Sequence, residues 1–191
     1  MSRIEELIKD LCPAGVEFAQ LQDVVELTAG DRVTKAEMSD TGLYPAYGAG
    51  TVPTGQYSHW NRESAMIISR AGAGAGFVNF IEGKFWATDV CFVASQLNKG
   101  TLIKFVYYWL KSQEHELMKH TYGGSMPKID KKYLWTHKVP VPPTELQSEI
   151  VRILDTFTEL EAELEAELEA RRTQYEYYRN KLLDFKDLST R

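Results

Sequence analysis

The sequence predicts an α+β protein, with a strand-rich N-terminal domain (residues 1–143) followed by one long C-terminal helix (residues 144–188). Two observations support this fold class. From Phe18 to about Phe92, Gly and Pro interrupt the chain every 8–12 residues, a spacing typical of a compact domain with many short strands. From Thr144 to about Phe185 the chain contains neither Gly nor Pro, which favours one continuous helix.

Helices are predicted at both ends of the N-terminal domain. Residues 3–11 place apolar side chains at helical spacing and are followed by Pro13, which stops a helix. Residues 101–119 show the same periodicity and predict a second helix. Between the two helices, runs rich in β-branched and aromatic residues, such as 64–69 and 77–81, predict strands.

Two segments after the second helix are predicted to lack regular structure. Residues 121–128 include the pair Gly123-Gly124 and predict a loop. Residues 139–143 contain three prolines, and proline restricts the backbone to extended or turn angles. We therefore expect a stiff, extended connector between the domain and the C-terminal helix.

The C-terminal segment repeats apolar or long side chains at alternating steps of three and four residues, with one extra four-residue step between Leu164 and Leu168. This is a heptad pattern with a stutter, typical of a coiled coil. About 42 residues at about 1.5 Å each form a rod of roughly 60 Å, too long for its apolar stripe to be covered by one small domain. The stripe therefore predicts a partner helix. Its predicted interface residues are Ile150, Ile153, Phe157, Leu160, Leu164, Leu168, Tyr175, Tyr178 and Leu182.

Charge divides the chain in the same place. The formal net charge is −5, and residues 144–191, with seven basic and 12 acidic residues, account for all of it. Residues 1–143 carry 15 residues of each sign. Within them, residues 119–138 contain five lysines against Asp130 alone. Clustered lysines are able to contact phosphate, although a solvated surface is the more ordinary interpretation of such a cluster.

The order of charges along the helix favours an antiparallel pair. Residues 159–170 contain six glutamates on both sides of the leucines, whereas Arg171 and Arg172 follow them. In a parallel pair, glutamates would face glutamates along this whole stretch. In an antiparallel pair, the first glutamates lie near the partner's arginines, although each exposed ion pair contributes only a few tenths of a kcal/mol.

Enzyme motifs are absent or incomplete. His115 and His120 resemble the histidine pair of a zinc-protease helix, but that pair must be four residues apart. A spacing of five turns the side chains about 140° away from each other. The loop Gly72–Gly76 follows a β-type run, as a phosphate-binding loop does, but it lacks the Lys-Ser/Thr ending. A tight turn or a close backbone approach is the simpler interpretation of its glycines.

Cysteine usage and hydropathy predict the compartment. Cys12 and Cys91 lie far apart and have no metal-type spacing, so both are expected to be apolar fillers in a reduced environment. No apolar run approaches the roughly 18 residues that a membrane span requires. We therefore expect a cytoplasmic protein without a membrane segment, a metal or a cofactor of its own.

Three successive motifs carry a family resemblance. Gly123-Gly-Ser-Met-Pro-Lys-Ile129 is followed by Val139-Pro-Val-Pro-Pro-Thr-Glu-Leu-Gln147 and then by Ile150-Val-Arg-Ile-Leu-Asp155 in the long helix. This succession resembles the specificity subunits of type I restriction–modification systems. Further landmarks of that family occur earlier, so the resemblance spans almost the whole chain; they are residues 11–18, 44–50, 67–72 and 86–92.

The resemblance implies a half-length subunit. Full-length members have two target-recognition domains and two antiparallel helices, whereas residues 1–143 supply one domain and residues 144–188 one helix. We therefore expect either a natural half-subunit that pairs with a second copy or a piece of a longer chain. Two copies related by a two-fold axis are expected to recognise a bipartite, palindromic, gapped site in double-stranded DNA.

The resemblance also implies a division of labour. The chain is expected to be a non-catalytic subunit that directs methyltransferase subunits and a motor-nuclease restriction subunit to their site. S-adenosylmethionine, ATP and Mg are expected to bind to those partner subunits and not to this chain.

Candidate DNA contacts follow from side-chain type in Gly-rich and basic loops. Arginine, lysine, histidine, serine and tyrosine are able to meet base edges or phosphates where glycine lets the backbone approach closely. The candidates are Arg32, Lys35, Tyr47, His59, Arg62, Arg70, Ser125 and Lys128, with Lys131 and Lys132 expected on phosphates.

A different class of function is the alternative at this stage. The protein would then be a coiled-coil-dimerised binding module for a non-DNA ligand such as a glycan, with Tyr57, Trp60 and Trp86 as stacking residues. Salt dependence separates the two hypotheses, because DNA binding that neutralises several phosphates weakens by orders of magnitude as salt rises.

Overall fold

The computed structural model describes residues 3–97 and 100–185 and confirms the α+β fold class. Within these residues a strand-rich domain precedes one long helix. The elements are α1 (Arg3–Leu11), β1 (Phe18–Gln20), α2 (Leu21–Val24), β2 (Val25–Ala29), β3 (Tyr44–Tyr47), β4 (Gly55–Tyr57), β5 (Arg62–Ser69), β6 (Val78–Ala87), β7 (Cys91–Gln96), α3 (Ile103–Ser112), α4 (Glu114–Lys119), β8 (Thr121–Tyr122), β9 (Lys128–Ile129), α5 (Lys131–Thr136), β10 (Lys138–Pro140) and α6 (Thr144–Leu182).

The centre of the domain is a six-stranded sheet with the order β2-β7-β5-β6-β3-β4. Neighbouring strands are antiparallel except for β3 and β6, which are parallel. A bulge interrupts β5, where Ser64 has φ 42° and its hydroxyl accepts a hydrogen bond from the Gly83 amide at 3.0 Å. Bulges increase local twist. The sheet curls so far that the Asp31 amide, just after β2, donates to the Ala87 carbonyl at the end of β6.

Both faces of the sheet are buried. Alternate residues of β5 point to opposite sides, as strand geometry requires: Met66 and Ile68 join the core under the helices, while Ile67 joins Phe85 and Val93 in a second core inside the curl. Because β5 is covered on both sides, its second half forms a continuous apolar run rather than an alternating one.

The domain's first and last strands pair with each other. Val139 lies opposite Ala19 in the two-stranded sheet of β1 and β10, and its side chain is fully buried. The extended backbone predicted for residues 139–143 is therefore confirmed at the start of this segment, where Val139 and Pro140 form a strand of the domain. Pro140 is tolerated because β10 has only one neighbouring strand, so the missing N–H costs no ladder bond on the other side.

Two other predicted segments differ in detail. Residues 101–119 form two helices, with Gln113 between them. The break occurs where the Glu114 carboxylate accepts a hydrogen bond from the Val78 amide at the start of β6, at 2.8 Å. Residues 121–128, predicted as a loop, contain strand β8 and the first residue of β9, which pair as a short hairpin.

Helices α1 and α6 begin where the sequence predicts them. Helix α1 covers residues 3–11, and α6 begins at Thr144 and ends at Leu182. Residues 183–185 are not helical, and residues 186–188 of the predicted helix lie outside the described residues.

The first turns of α6 belong to the domain. The chain up to Val151 forms one compact unit, and the chain from Arg152 forms a second. The Gln147 amide is fully buried: its nitrogen donates to the Pro142 carbonyl at 2.7 Å and to the Gly100 carbonyl at 2.8 Å, and its oxygen accepts from the Leu102 amide at 2.8 Å.

Candidate nucleic-acid interface

The predicted DNA-binding residues form two groups that border the β6–β7 turn, residues 88–90. On one side of this turn the Thr88 amide donates to the Tyr47 carbonyl at 2.9 Å. On the other side the Val90 carbonyl accepts from the Arg70 amide at 2.9 Å. The fold thus brings Tyr47 and Arg70, from distant parts of the sequence, to the two sides of this turn.

The first group surrounds a hydrogen-bonded network, here called the Asp31 network, of Asp31, Asn61, Arg62, Trp86 and Ala87. The Asn61 side chain pairs with Ala87 as a neighbouring strand would: its oxygen accepts from the Ala87 amide at 2.7 Å and its nitrogen donates to the Ala87 carbonyl at 2.9 Å. The same nitrogen donates to Asp31 Oδ2 at 2.8 Å. The Asn61 side chain thereby joins the loop after β2, the residue before β5 and the end of β6.

Arg62 is held by this network. Its Nη1 donates to the Asn61 carbonyl at 2.7 Å and lies 3.9 Å from Asp31 Oδ2. A guanidinium has five N–H donors, so these contacts leave donors for another ligand, and the side chain is 30% exposed. A positioned arginine of this kind suits bidentate recognition of a guanine edge.

The other candidates of the first group differ in exposure. Arg32 and Lys35 are exposed in the loop after β2, where Glu37 accepts hydrogen bonds from the amide and hydroxyl of Thr34. Those bonds, and to a smaller extent the charge of Arg32, hold the Glu37 pKa below its usual value. Tyr47 is half-buried with its ring edge-on to Phe85, and burial raises the pKa of its hydroxyl.

The aromatic residues of the glycan alternative are engaged within the chain. Trp86 donates its indole N–H to the Asp31 carbonyl at 3.2 Å and packs edge-on to Tyr57, with 4.8 Å between ring centroids. Lys84 lies over the ring of Trp60, 4.5 Å from its centroid. His59 is exposed beside Tyr57, and its Nδ1 is hydrogen-bonded to the Ser58 hydroxyl. Trp60 and Trp86 are therefore poorly disposed for stacking on a sugar.

The second group surrounds the buried ring of Phe92. The Arg70 guanidinium lies 5.8 Å from the ring centroid and Lys131 Nζ lies 5.6 Å from it. Trp135 packs edge-on to the same ring, and Lys131 also lies over Trp135 at 5.9 Å. Cations near aromatic faces are held electrostatically without losing their charge, so Phe92 fixes two positive groups at one surface.

The remaining basic candidates flank this group. Lys128 lies on β9, whose backbone bridges Ala71, and Lys131 and Lys132 occupy the first turn of α5. All three lysines are exposed, and within residues 3–97 and 100–185 no carboxylate forms an ion pair with them. Lys119, by contrast, is neutralised by Glu116 at 2.6 Å. Ser125 is exposed in the loop between β8 and β9.

Two local interactions hold helix α5 in place. Asp130 caps its N-terminus, where Oδ1 accepts from the amides of Lys132 at 2.8 Å and Tyr133 at 3.3 Å. The Tyr133 ring stacks on His120 with 3.6 Å between centroids and 2° between planes. Burial, and the nearby His120, lower the pKa of His137 at the end of α5. His137 is thus held neutral, and the positive charge on α5 comes from its lysines.

The glycine-rich loop 72–76 has a structural role. Gly72 and Gly76 have φ +93° and +96°, angles that side chains of other residues rarely tolerate. A Cβ at Gly74 would lie 2.3 Å from the Ala49 carbonyl oxygen. Close backbone approach, one of the two structural interpretations offered for these glycines, is therefore confirmed at Gly74.

Some residues of this surface give no recognisable sequence signal. Asp31 and Asn61 were not among the candidates, because an acidic and an amide side chain 30 positions apart do not form a motif. Phe92 was used only as a strand residue, although its ring organises two of the candidate cations.

The second compact unit presents the predicted coiled-coil stripe to solvent. Seven of the nine predicted interface residues are 48–71% exposed. Ile150 and Ile153 are half-buried. Leu146 continues the same spacing but lies in the core of the domain, at 3% exposure, so the exposed stripe begins after it. The seven exposed residues are Phe157, Leu160, Leu164, Leu168, Tyr175, Tyr178 and Leu182.

Metal, thiol and membrane chemistry were also considered. No group of three or more potential metal ligands occurs within the described parts of the chain. Burial raises the pKa of the Cys91 thiol to about 12, so it is a poor nucleophile at neutral pH. Every helix in residues 3–97 and 100–185 is too short or too polar to cross a bilayer.

Comparison with known proteins identifies the family. The model of the type I restriction modification DNA specificity domain matches residues 13–170. The chain is 29% identical over 191 residues to the type I restriction enzyme MpnII specificity subunit of Mycoplasma pneumoniae, covering 95% of this chain and 57% of that protein. It is 43% identical over 107 residues to the EcoR124I/EcoR124II specificity subunit of Escherichia coli, covering 50% and 24%.

A solved structure shows the same fold. The S subunit of a type I restriction-modification system from M. genitalium superposes with a TM-score of 0.75 at 21% identity, covering 88% of this chain and 46% of that one. The chain spans about half the length of several curated relatives that it matches, 47% and 48% in two cases. With the specificity-domain model matching residues 13–170, the chain belongs to the type I restriction modification DNA specificity domain family.

Proposed function

We propose that this chain is a non-catalytic, sequence-specific DNA-recognition subunit that acts in the cytoplasm as an antiparallel homodimer. It directs separate methyltransferase subunits and a motor-nuclease subunit to a bipartite, palindromic, gapped site. S-adenosylmethionine, ATP and Mg belong to those partners. Family membership supports DNA recognition, and the observation that carries the dimer is the exposed stripe of α6, in which Leu164 is 66% and Leu168 53% exposed.

The spacing of the stripe suits an antiparallel pair. When the two-fold axis passes midway between Leu164 and Leu168, Phe157 lies opposite the partner's Tyr175 and Ile150 opposite the partner's Leu182. The extra four-residue step then falls at the axis. Moving the axis onto Leu164 shifts the partner by four residues, about 6 Å, and still keeps stripe residues opposite one another, such as Leu160 and the partner's Leu168.

Charge adds modest support for the antiparallel sense. With the axis at the stutter, Glu161 lies opposite the partner's Arg171. Arg171 is also 3.2 Å from Glu167 of its own helix, so the two carboxylates would share it. Exposed pairs of this kind contribute roughly 0–1 kcal/mol, so burial of the apolar stripe supplies most of the dimer's stability.

DNA contact is proposed around the β6–β7 turn, with the two groups of candidates on either side of it. The Asp31 network presents Arg62 for base contact, with Arg32, Lys35, Tyr47 and His59 around it. Arg70, Ser125 and Lys128 border the same turn, while Lys131 and Lys132 are proposed to bind phosphate. The lack of ion-pair partners for these last lysines within the described ranges supports that role, since they enter the complex with their charge uncompensated.

The proposed site is tested by methylation mapping. Co-expression with a type I methyltransferase subunit in cells lacking other methyltransferases is expected to modify adenines in one motif made of two inverted half-sites with a fixed gap. A non-palindromic or ungapped motif would contradict the symmetric dimer. In a separate binding measurement, an affinity for duplex DNA that does not fall as the salt concentration rises would contradict DNA recognition and favour the glycan alternative.

The phosphate-contact lysines give a second prediction. Lys131→Gln combined with Lys132→Gln is expected to reduce the slope of log affinity against log salt by about 1 per lysine, with weaker binding to all DNA sequences alike. The measurement is fluorescence anisotropy with duplex DNA across a salt series. Lys9→Gln, an exposed lysine on α1, is the control and should leave the slope unchanged; an unchanged slope in the double variant would remove these lysines from the interface.

A further inference from the structure

Helix α1 has an apolar face that its own chain covers incompletely. None of its residues is buried, and Ile8 is 46% exposed. The apolar residues occur at helical spacing on one face, and an isolated helix of nine residues is marginal in water without packing. The residues of this face are Ile4, Leu7, Ile8 and Leu11.

Helix α1 begins beside the start of α6. Arg3 Nε lies 4.0 Å from Glu149 Oε1, and the Glu149 side chain is 8% exposed. Both residues belong to the first compact unit. The incompletely covered face of α1 therefore lies at the level of the first turns of α6.

The C-terminal end of α6 also carries apolar side chains that its own chain leaves exposed. Leu182 is 71%, Leu183 64% and Phe185 80% exposed. Only the first of them continues the coiled-coil stripe as a helical residue, because α6 ends at Leu182. This end of the chain therefore offers three large apolar side chains that its own helix does not cover.

In an antiparallel dimer these two features meet. Leu182 of one copy lies at the level of Ile150 of the other, or at the level of residue 146 or 154 when the axis is placed on Leu164 or Leu168. Leu146 is buried in its own domain and is not available to the partner. The partner's helix end thus runs past the end of the exposed stripe, where α1 is the adjacent incompletely covered apolar surface.

We propose that the apolar face of α1 binds the C-terminal end of α6 from a second copy of this chain, with Ile4, Leu7, Ile8 and Leu11 against Leu182, Leu183 and Phe185. The contact rests on the antiparallel homodimer of the proposed function and occurs twice in it. It locks each end of the paired helices to a domain and so fixes the distance between the two recognition surfaces.

The charged residues of both elements stay exposed in this arrangement. Glu6 and Asp10 lie away from the apolar face of α1, and Arg179 and Lys181 precede the apolar end of α6. A parallel dimer would instead place both basic ends together and leave the face of α1 uncovered.

Disulfide trapping tests the contact. Ile8→Cys and Leu183→Cys chains with different tags are co-expressed and oxidised, and the expected product is a disulfide-linked heterodimer on a non-reducing gel. Lys9→Cys, about 150° from the centre of the apolar face, is the matched control and should give little cross-linking with Leu183→Cys. The native cysteines Cys12 and Cys91 are buried, and the unsubstituted chain gives the background.

The outcomes separate this contact from the dimer itself. The protein can be a dimer in sizing experiments while its Ile8→Cys chain cross-links no better than the Lys9→Cys chain. That result overturns the α1 contact and leaves the proposed function standing. A monomeric chain overturns the homodimer. Self-cross-linking of Leu183→Cys across the dimer overturns the antiparallel sense.

A second variant tests the contact without cross-linking, because disulfide formation also traps rare encounters between chains. Ile8→Glu is expected to weaken dimerisation at least about tenfold, because the apolar contact is lost at both ends of the dimer. The monomer fold should survive, since Ile8 is not buried within its own chain. Lys9→Glu is the control; equal dimer affinity for the two variants, measured by sedimentation, would contradict the proposal.

Discussion

Leu164→Glu combined with Leu168→Glu is expected to convert the protein into a monomer. These leucines are 66% and 53% exposed in the single chain and lie at the centre of the proposed interface. Burying a leucine contributes about 1.5–3 kcal/mol, so the loss of four leucines per dimer costs on the order of 6 kcal/mol or more. That corresponds to roughly a 10⁴-fold weaker dimer, at about 1.4 kcal/mol per factor of ten.

Sizing chromatography with light scattering measures this effect. Ala162→Glu combined with Ala166→Glu adds the same charge on the opposite side of the helix, two positions from the stripe, and should leave the dimer intact. If the leucine variant still elutes as a dimer, the interface lies elsewhere. If both variants dissociate, the added negative charge and not the stripe is responsible.

The same leucine variant has a functional consequence. A monomer presents one recognition domain, so co-expression with the methyltransferase is expected to abolish methylation of the bipartite motif, while weak DNA binding through one half-site persists. Co-expression of the control variant, Ala162→Glu with Ala166→Glu, should give normal methylation. Normal methylation by a monomeric leucine variant would show that symmetric pairing is not needed for recognition.

Gln147→Leu is expected to give the largest loss of domain stability by a single substitution among those considered. Its amide makes three hydrogen bonds of 2.7–2.8 Å to backbone groups of Gly100, Leu102 and Pro142. Leucine has a similar volume but removes the partner of the Leu102 N–H and of the Pro142 carbonyl, at about 1–3 kcal/mol for each buried group, and one of the hydrogen bonds to the Gly100 carbonyl, which also accepts from the Thr144 hydroxyl at 3.5 Å. The free energy of unfolding should fall by roughly 3 kcal/mol or more, a large share of a typical 5–15 kcal/mol.

Urea unfolding followed by tryptophan fluorescence measures this loss at a fixed protein concentration. Ser148→Ala, which removes only an exposed hydroxyl bonded to the Thr144 carbonyl, is the control and should change the free energy of unfolding by less than about 0.5 kcal/mol. Equal midpoints for the two variants would show that Gln147 does not anchor α6 to the domain.

Local patterns predicted the helices because a helix depends on neighbours three and four residues away. The apolar spacing of residues 3–11 predicted α1 with its observed bounds, and the start of α6 at Thr144 was predicted from the absence of Gly and Pro beyond Pro143. Long-range contacts were not predictable in this way: proline predicted the extended backbone at Val139, but not its pairing with Ala19, 120 positions earlier, which makes this segment a strand of the domain.

The candidate DNA-binding surface also has features that the sequence predicted and features that it did not. Side-chain type selected Arg62, Arg70 and Lys131 as cations in loops, and this selection still awaits a DNA-binding measurement. Their environment depends on Asp31, Asn61 and Phe92, which contact them through the sheet and not through nearby sequence. No local pattern encodes such partners, because sheet register is set by packing of both cores at once.

The sequence by itself determined the two-part architecture, the family resemblance and the heptad stripe of the C-terminal helix. These depend on composition and on spacing within a few turns, which a linear pattern records. Only the tertiary structure decided that Leu146 and Gln147 anchor α6 in the domain, that β1 and β10 close it, and that Arg70 and Lys131 lie beside Phe92. Each of these results from burial against residues far away in the chain, and burial depends on how the whole domain packs.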